Sequence, residues 1–381
     1  MNIIKRLRYN LFFLTHSVGY TKEYIERTYK IYIGHSKVIH VRDGYPVFSL
    51  SSPALFSKPS AHFFARILFR TIQNKNIPNL MSYAVNDICN VSCKHCSFFQ
   101  GVEEKGRENL SLEQSKQLIQ DAQELGVSVI NFVGGEPLLR TDLADIIRSV
   151  DKTVSTTVMF TNGWLLKEKA KELRSAGLDS IYISIDSADE KIHDTIRGQE
   201  GLFKRAVSGL IEAKKEGFSV GISTCLTPEA YKRGELKKMM DFAQSLGVHE
   251  VIIFDAMPSG RYAFRKDLVD NDWTEEMIRE VRSYNQDESF PGVLVWAYVS
   301  SHRSVGCSCG TSYMYISPYG DLMSCDFNHK KFGNILEAPL YKLWDGLTTK
   351  KEFCSSKWGG CKVKDSESRK SDCVVTGTGC C

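Results

Sequence analysis

Cys89-Asn90-Val91-Ser92-Cys93-Lys94-His95-Cys96 sets three thiols in the pattern C-x3-C-x2-C, directly after the apolar stretch 80–85. Three thiolates this close can hold three irons of a four-iron, four-sulfur cluster. The fourth iron then lacks a protein ligand and stays open to a substrate or cofactor, which separates a reactive site from a structural one. Two other readings use the same residues. Structural zinc takes a C-x2-4-C knuckle with a second pair further on, and no second pair follows nearby. A thioredoxin-like pair would place Cys93 and Cys96 at the start of a thioredoxin-length unit, which the chain does not provide.

Downstream, short strand-like runs at 127–133, 154–160, 180–185, 220–226 and 248–254 alternate with amphipathic helical stretches near 112–125, 142–150, 166–176, 202–216 and 235–246. Ser111 and Gln114 predict a capping box at the first of these helices. With 80–85 the pattern gives six strand–helix units. Such alternation predicts a parallel sheet with helices outside and the site at the C-terminal strand ends.

Those ends carry chemistry. Gly134-Gly135-Glu136-Pro137 follows the second strand; its glycines allow close backbone approach, and the carboxylate can accept from an ammonium. Thr161-Asn162-Gly163 follows the third. The fourth ends in Ser184-Ile185-Asp186-Ser187, before His193-Asp194-Thr195-Ile196-Arg197-Gly198. The competing reading of these residues is a set of turns, caps and surface ion pairs.

The cysteine motif, with aromatic His95 before its last thiol, resembles the signature of the radical S-adenosylmethionine superfamily, and the later segments match that family in order. The resemblance implies an α/β fold with a partial (β/α)6 barrel over 80–270. It implies a cluster on Cys89, Cys93 and Cys96 whose open iron chelates S-adenosylmethionine and cleaves it to methionine and a 5′-deoxyadenosyl radical. It implies cofactor contacts by His95, Gly134, Gly135, Glu136, Pro137, Thr161, Asn162, Ser184, Asp186 and Arg197. Met257, in Met257-Pro258-Ser259-Gly260-Arg261, would lie near the adenine.

Residues 300–381 hold eight of the twelve cysteines. Cys309, Gly320 and Cys325 form C-x10-G-x4-C, which resembles the opening of the SPASM/twitch extension. A hairpin is expected around Pro318-Tyr319-Gly320, then a strand near Gly333-Asn334-Ile335 and a short helix at 340–344. The family's usual C-x2-C-x5-C-x3-C run is absent. One auxiliary cluster is therefore expected, on Cys309 and Cys325, with Cys361 placed third and Cys307, Cys354 and Cys373 competing for the remaining place. Zinc is the alternative in this small cysteine-rich α+β extension, 271–381. Disulfides are not expected beside an oxygen-sensitive cluster. Cys225 reads as a buried core thiol.

Composition excludes other classes. The chain is 42% hydrophobic and 25% charged, with net charge +4, so no nucleic-acid partner is expected. No apolar run approaches ~18 residues, and the apolar core at 11–14 is too short for a signal peptide. The chain is expected in the cytoplasm. Residues 1–79 match no family; they read as helical and hairpin segments. Two amphipathic stretches there, at 1–14 and 63–72, suit either a helix packed on the barrel or peripheral contact with the inner face of a membrane. The expected partners are a small or lipid-like substrate, with a peptide as the alternative, and an electron donor such as flavodoxin or ferredoxin. Asp255, Tyr262 and His302 are candidate acids or bases. A non-catalytic electron carrier is the reading from another class; it would have no use for the cofactor segments.

Overall fold

The computed structural model describes residues 37–350, except 74, 100, 101, 105, 270, 271 and 301–305, together with 361, 363 and 364. The amphipathic segment at 1–14, His302, Cys354 and Cys373 lie outside the described residues. The N-terminal portion forms an antiparallel hairpin, β1 (His40–Arg42) and β2 (Tyr45–Val47), turning at Asp43-Gly44, and then helix α1 (Lys58–Gln73).

Six parallel strands follow: β3 (Leu80–Ala84), β4 (Val129–Val133), β5 (Thr156–Thr161), β6 (Ser180–Ser184), β7 (Ser219–Leu226) and β8 (Glu250–Asp255). They are neighbours in that order, and the sheet stays open. The crossovers run through α2 (Leu112–Leu125), α3 (Leu143–Arg148), α4 (Leu166–Ser175), α5 (Glu190–Arg197) with α6 (Leu202–Lys215), and α7 (Pro228–Lys232) with α8 (Glu235–Leu246). The capping box starts α2 as expected: Gln114 N–H donates to Ser111 Oγ at 3.2 Å, and Ser111 N–H to Gln114 Oε1 at 2.8 Å.

The sheet runs on past residue 270, into the range expected as extension. Helix α9 (Asp272–Gln286) leads to a seventh parallel strand, β9 (Gly292–Val295), beside β8, and then to the short α10 (Trp296–Val299). On the opposite edge, β10 (Tyr313–Ile316) pairs parallel with β3. The expected hairpin continues it through β11 (Asp321–Cys325) and β12 (Asn328–Asn334), before α11 (Leu340–Thr348). The cysteine-rich extension is thus built on the edge strand that launches the cysteine loop.

Strand alternation sorts the side chains into two sets. Met81, Ile130, Phe132, Met159, Ile181, Ile183, Val220, Ile222, Val251 and Ile253 face the helices in one cluster. Val129, Val158, Tyr182 and Ile252 face inward and pack against Val47, Leu50 and Ala54. Each such side chain stabilises by roughly 1.5–3 kcal/mol on full burial. The N-terminal hairpin and loop therefore plug the N-terminal ends of the strands. Two buried charges there are paired. Glu250 accepts from Leu50 N–H at 2.8 Å and from the Tyr182 hydroxyl. Arg42 donates to Ser180 Oγ at 2.8 Å and to Thr156 Oγ1 at 3.1 Å. Among the described residues no helix is long and apolar enough to cross a membrane.

Candidate metal centre and cofactor cleft

Cys89, Cys93 and Cys96 sit in the loop after β3, at the C-terminal strand ends, and all are free thiols. Burial pushes the Cys89 thiol up to about 12 and raises that of Cys93 as well, against the pull of Arg197. Metal binding would therefore have to displace protons from these thiols. Two donors already aim at sulfur: Arg197 Nη1 lies 3.6 Å from Cys93 Sγ, and Phe99 N–H 3.5 Å from Cys96 Sγ. Hydrogen bonds to ligand sulfurs suit an iron–sulfur cluster. Among the described residues no three His, Cys, Asp or Glu side chains converge on a single-ion site. A four-iron cluster would ask for looser convergence, since each thiolate would bind a different iron.

The glycine pair positions this loop. A Cβ on Gly135 would lie 2.0 Å from the Ile88 carbonyl oxygen, and one on Gly134 2.7 Å from that of Asn86. Gly135 N–H donates to Asn86 O at 3.0 Å, and Glu136 N–H to Ile88 O at 2.7 Å. The glycines thus seat the backbone that leads into Cys89. Glu136 is 2% exposed. Its carboxylate accepts from Thr161 Oγ1 (2.6 Å), Asn162 N–H (2.8 Å) and Leu138 N–H (3.1 Å). Three donors fill most of its acceptor capacity, so the side chain ties the GGEP turn to Thr161-Asn162. Pro137 opens the one-turn helix that follows. Asn162 Nδ2 then reaches Asn90 Oδ1 at 2.8 Å, inside the cysteine loop.

Asp186 and Arg197 hold the other side. Arg197 Nε donates to Asp186 Oδ2 at 2.6 Å, and Cys225 N–H to Asp186 Oδ1 at 2.9 Å. Burial opposes the charge of Asp186, yet Arg197, followed by His95 and His193, holds its carboxyl at about 2. His95 Nε2 is 3.5 Å from the same carboxylate. Burial, outweighing Asp186, lowers His95 to about 4, so its ring is neutral at pH 7. The backbone carbonyls of Ile196 and Arg197 accept from Lys94 and Ser92 N–H, each at 3.0 Å. Ser184 is half-buried at the end of β6, paired in register with Ser223.

Met257 is 5% exposed in a segment that closes on the same loop. Arg261 N–H donates to Cys96 O at 3.0 Å, and its guanidinium to Cys93 O at 2.8 Å and Ser92 Oγ at 3.1 Å. Gly260, at φ +54, has room only for hydrogen, because a Cβ would meet Cys96 O at 2.3 Å. Arg261, Asn86 and Asn90 brace the loop by backbone and amide contacts that no motif spacing predicts.

Cys225 is not a core thiol. Val220, Ile222 and Leu226 face the helices, so alternation turns Cys225 inward, where it is part-exposed beside Asp186. Around it stands an aromatic wall. The ring centroids of Phe160 and Phe254 are 6.4 Å apart, those of Phe254 and Trp296 5.6 Å, and those of Phe254 and Phe327 6.2 Å. All four rings remain partly exposed, so they line the mouth above the N-terminal plug. Phe160 and Phe254 were open to the same alternation argument; Trp296 and Phe327 come from elements that only the fold brings there.

In the extension, the Cys309 thiol is hydrogen-bonded with Cys307 and with Cys325, and these contacts and burial keep it protonated well above the usual range. Cys361 is raised too, by burial and then by Cys307, Cys325 and Asp255. Cys307 and Cys325 thus lie beside Cys309, and Cys361 is within electrostatic reach of Cys307 and Cys325.

Two shielded histidines, His193 buried and His249 half-buried, carry a pH prediction. His193, through burial against the pull of Asp186, and His249, through burial and then His40, both lie at about 4 instead of 6.5. The unfolded chain binds these protons near pH 6.5 and the folded chain only near pH 4, so their contribution is full above 6.5 and falls as pH drops toward 4. The Tm of metal-free protein is expected to fall by several degrees across that window, less steeply in His249→Gln. A flat Tm would contradict it.

The fold and site define a class: an open parallel α/β barrel with a thiol-rich loop at its mouth. Residues 83–243 match the radical SAM superfamily, and residues 307–373 match SPASM, an iron–sulfur cluster-binding domain. The chain belongs to the radical SAM superfamily and carries a SPASM extension. It is therefore an enzyme whose cofactors are a 4Fe-4S cluster and S-adenosylmethionine, with auxiliary iron–sulfur binding in the extension. It is 26% identical over 322 residues to an AdoMet-dependent heme synthase of Methanosarcina barkeri, covering 79% of this chain and 88% of that protein. It is 28% identical to a probable GTP 3′,8-cyclase of Metallosphaera sedula, covering 66% of this chain and 81% of the relative. The fold is similar to that of SuiB from Streptococcus suis, solved bound to its precursor peptide SuiA. The TM-score is 0.63 at 17% identity, over 78% of this chain and 75% of that one.

Proposed function

We propose that this enzyme takes a hydrogen atom from a small, apolar, ring-bearing substrate held in the barrel mouth. The observation that carries the reading is the part-exposed aromatic wall of Phe160, Phe254, Trp296 and Phe327 beside Cys225. Flat rings stack on such a wall by about 0.5–1.5 kcal/mol per pair beyond their area burial. The named heme synthase relatives fit a flat conjugated ligand.

The residue roles are part of the proposal. Cys89, Cys93 and Cys96 would hold the cluster; bound together, cluster and S-adenosylmethionine supply a 5′-deoxyadenosyl radical. Gly134 to Pro137, Thr161 and Asn162 shape the cleft for the methionine part. Ser184 and Met257 would flank the nucleoside. Asp186, Arg197 and neutral His95 brace the loop from the opposite side. Cys307, Cys309, Cys325 and Cys361 would hold one auxiliary cluster.

Absorbance titration with an iron porphyrin tests the substrate class. Saturable binding is expected, weakened about 3- to 10-fold in Phe254→Ala and in Trp296→Ala. No porphyrin binding, with saturable binding of an extended peptide instead, would move the assignment to a peptide-modifying enzyme.

A further inference from the structure

One buried charge pair has no part in the cofactor cleft. Asp255, which ends β8, is 1% exposed, and Lys364 is 7% exposed. Their carboxylate and ammonium form an ion pair. Outside the pair, neither group has a hydrogen-bond partner among the described residues. The ammonium also lies 5.8 Å from the ring centroid of Trp273 on α9. A dry, under-bonded pair contributes little net stability, because desolvation offsets the Coulomb attraction; apolar side chains of the same size would serve as well. The contribution left to it is register: it holds one segment at a set place on another.

The segment it holds is the one that bears Cys361. Lys364 N–H donates to Cys361 O at 3.0 Å, closing a tight turn, and Val363 within that turn is 3% exposed. Where Lys364 docks therefore decides where Cys361 lies. Cys307, Cys309 and Cys325 come from the stretch around β10 and β11, whereas Cys361 arrives from beyond α11. The group is complete only if that later segment is pinned.

We propose that the Asp255–Lys364 pair is a latch that seats Cys361 beside Cys307, Cys309 and Cys325, fastening the auxiliary site to the C-terminal end of β8. This rests on the reading of those four thiols as one cluster site. Asp255 and Lys364 act on it as positioning residues. Asp255 pairs in register with Leu226, the neighbour of Cys225, so the latch also ties the auxiliary site to the strand ends at the barrel mouth.

The test uses the full chain carrying Cys89→Ala, Cys93→Ala and Cys96→Ala, so that all remaining cluster iron is auxiliary. Iron per chain and the electron paramagnetic resonance spectrum of the reduced protein are measured after anaerobic reconstitution. Cys361→Ser is expected to lose or alter the cluster signal. Asp255→Asn and Lys364→Gln are each expected to lower auxiliary iron at least about threefold or to reproduce the Cys361→Ser spectrum, while Lys364→Arg keeps the parent value. Parent iron and spectrum in Asp255→Asn and Lys364→Gln, with the signal lost in Cys361→Ser, would overturn the latch and leave the ligand set standing. Parent iron and spectrum in Cys361→Ser would instead remove Cys361 from the ligand set, and the latch with it. Loss of the cooperative thermal melt in metal-free Asp255→Asn and Lys364→Gln would mark the pair as a general stability element and would likewise overturn the latch.

Discussion

Arg197→Ala is expected to lower 5′-deoxyadenosine formation at least about a hundredfold. The side chain does two things at once. Its Nε holds Asp186 at 2.6 Å, and its Nη1 approaches Cys93 Sγ at 3.6 Å. Truncation leaves the Asp186 carboxylate buried without its main counter-charge, a cost of about 3–5 kcal/mol. Either that group takes up a proton or the loop opens, and a barrier change of about 2.7 kcal/mol already accounts for a hundredfold. Arg197→Lys keeps the charge but loses the planar fork, so an intermediate rate is expected. The measurement is 5′-deoxyadenosine per iron-loaded chain. A near-parent rate in Arg197→Ala would show that the Asp186 pair is dispensable.

Gly135→Ala is expected to empty the first site while sparing the extension. The new Cβ would stand 2.0 Å from Ile88 O and 2.5 Å from Ile88 C, both backbone atoms that cannot rotate away. Relief requires parting Gly135 N–H from Asn86 O and Glu136 N–H from Ile88 O. Overpacking of about 1–3 kcal/mol and two lost hydrogen bonds of about 1 kcal/mol each then fall on the strand-to-loop junction before Cys89. About four irons per chain should disappear, with the auxiliary iron retained. Parent iron content in this variant would contradict the seating role of the glycine pair.

How far the sequence reads is clearest from individual residues. The six parallel strands follow from short β-branched runs alternating with 3.6-period stretches, because each run must bury one face against helices. The cysteine loop is legible because its pattern is local: three thiols lie within eight residues. Glu136 is legible as a carboxylate at a strand end but not in its contacts, since the donors at Thr161 and Asn162 come from the next strand end. Cys225 misleads because strand burial looks alike on both faces until the packed face is known; Val220, Ile222 and Leu226 pack on the helices, and alternation then turns Cys225 the other way. Lys364 leaves no local signal, and Arg261 stands in a legible segment without showing what its side chain does. Each acts by reaching across the mouth to a segment distant in the chain. β9 escapes notice because four residues, Gly292–Val295, are too few to show a period.

The measurement that tests the central claim most directly is 5′-deoxyadenosine formed from S-adenosylmethionine under dithionite. Anaerobically reconstituted parent protein is assayed beside a chain carrying Cys89→Ala, Cys93→Ala and Cys96→Ala, with iron counted in both. The account predicts 5′-deoxyadenosine from the parent alone, about four irons lost in the variant, and residual iron held by the extension. A fully iron-loaded parent that forms no 5′-deoxyadenosine would contradict it and would leave an iron–sulfur protein that binds or transfers electrons without making a radical.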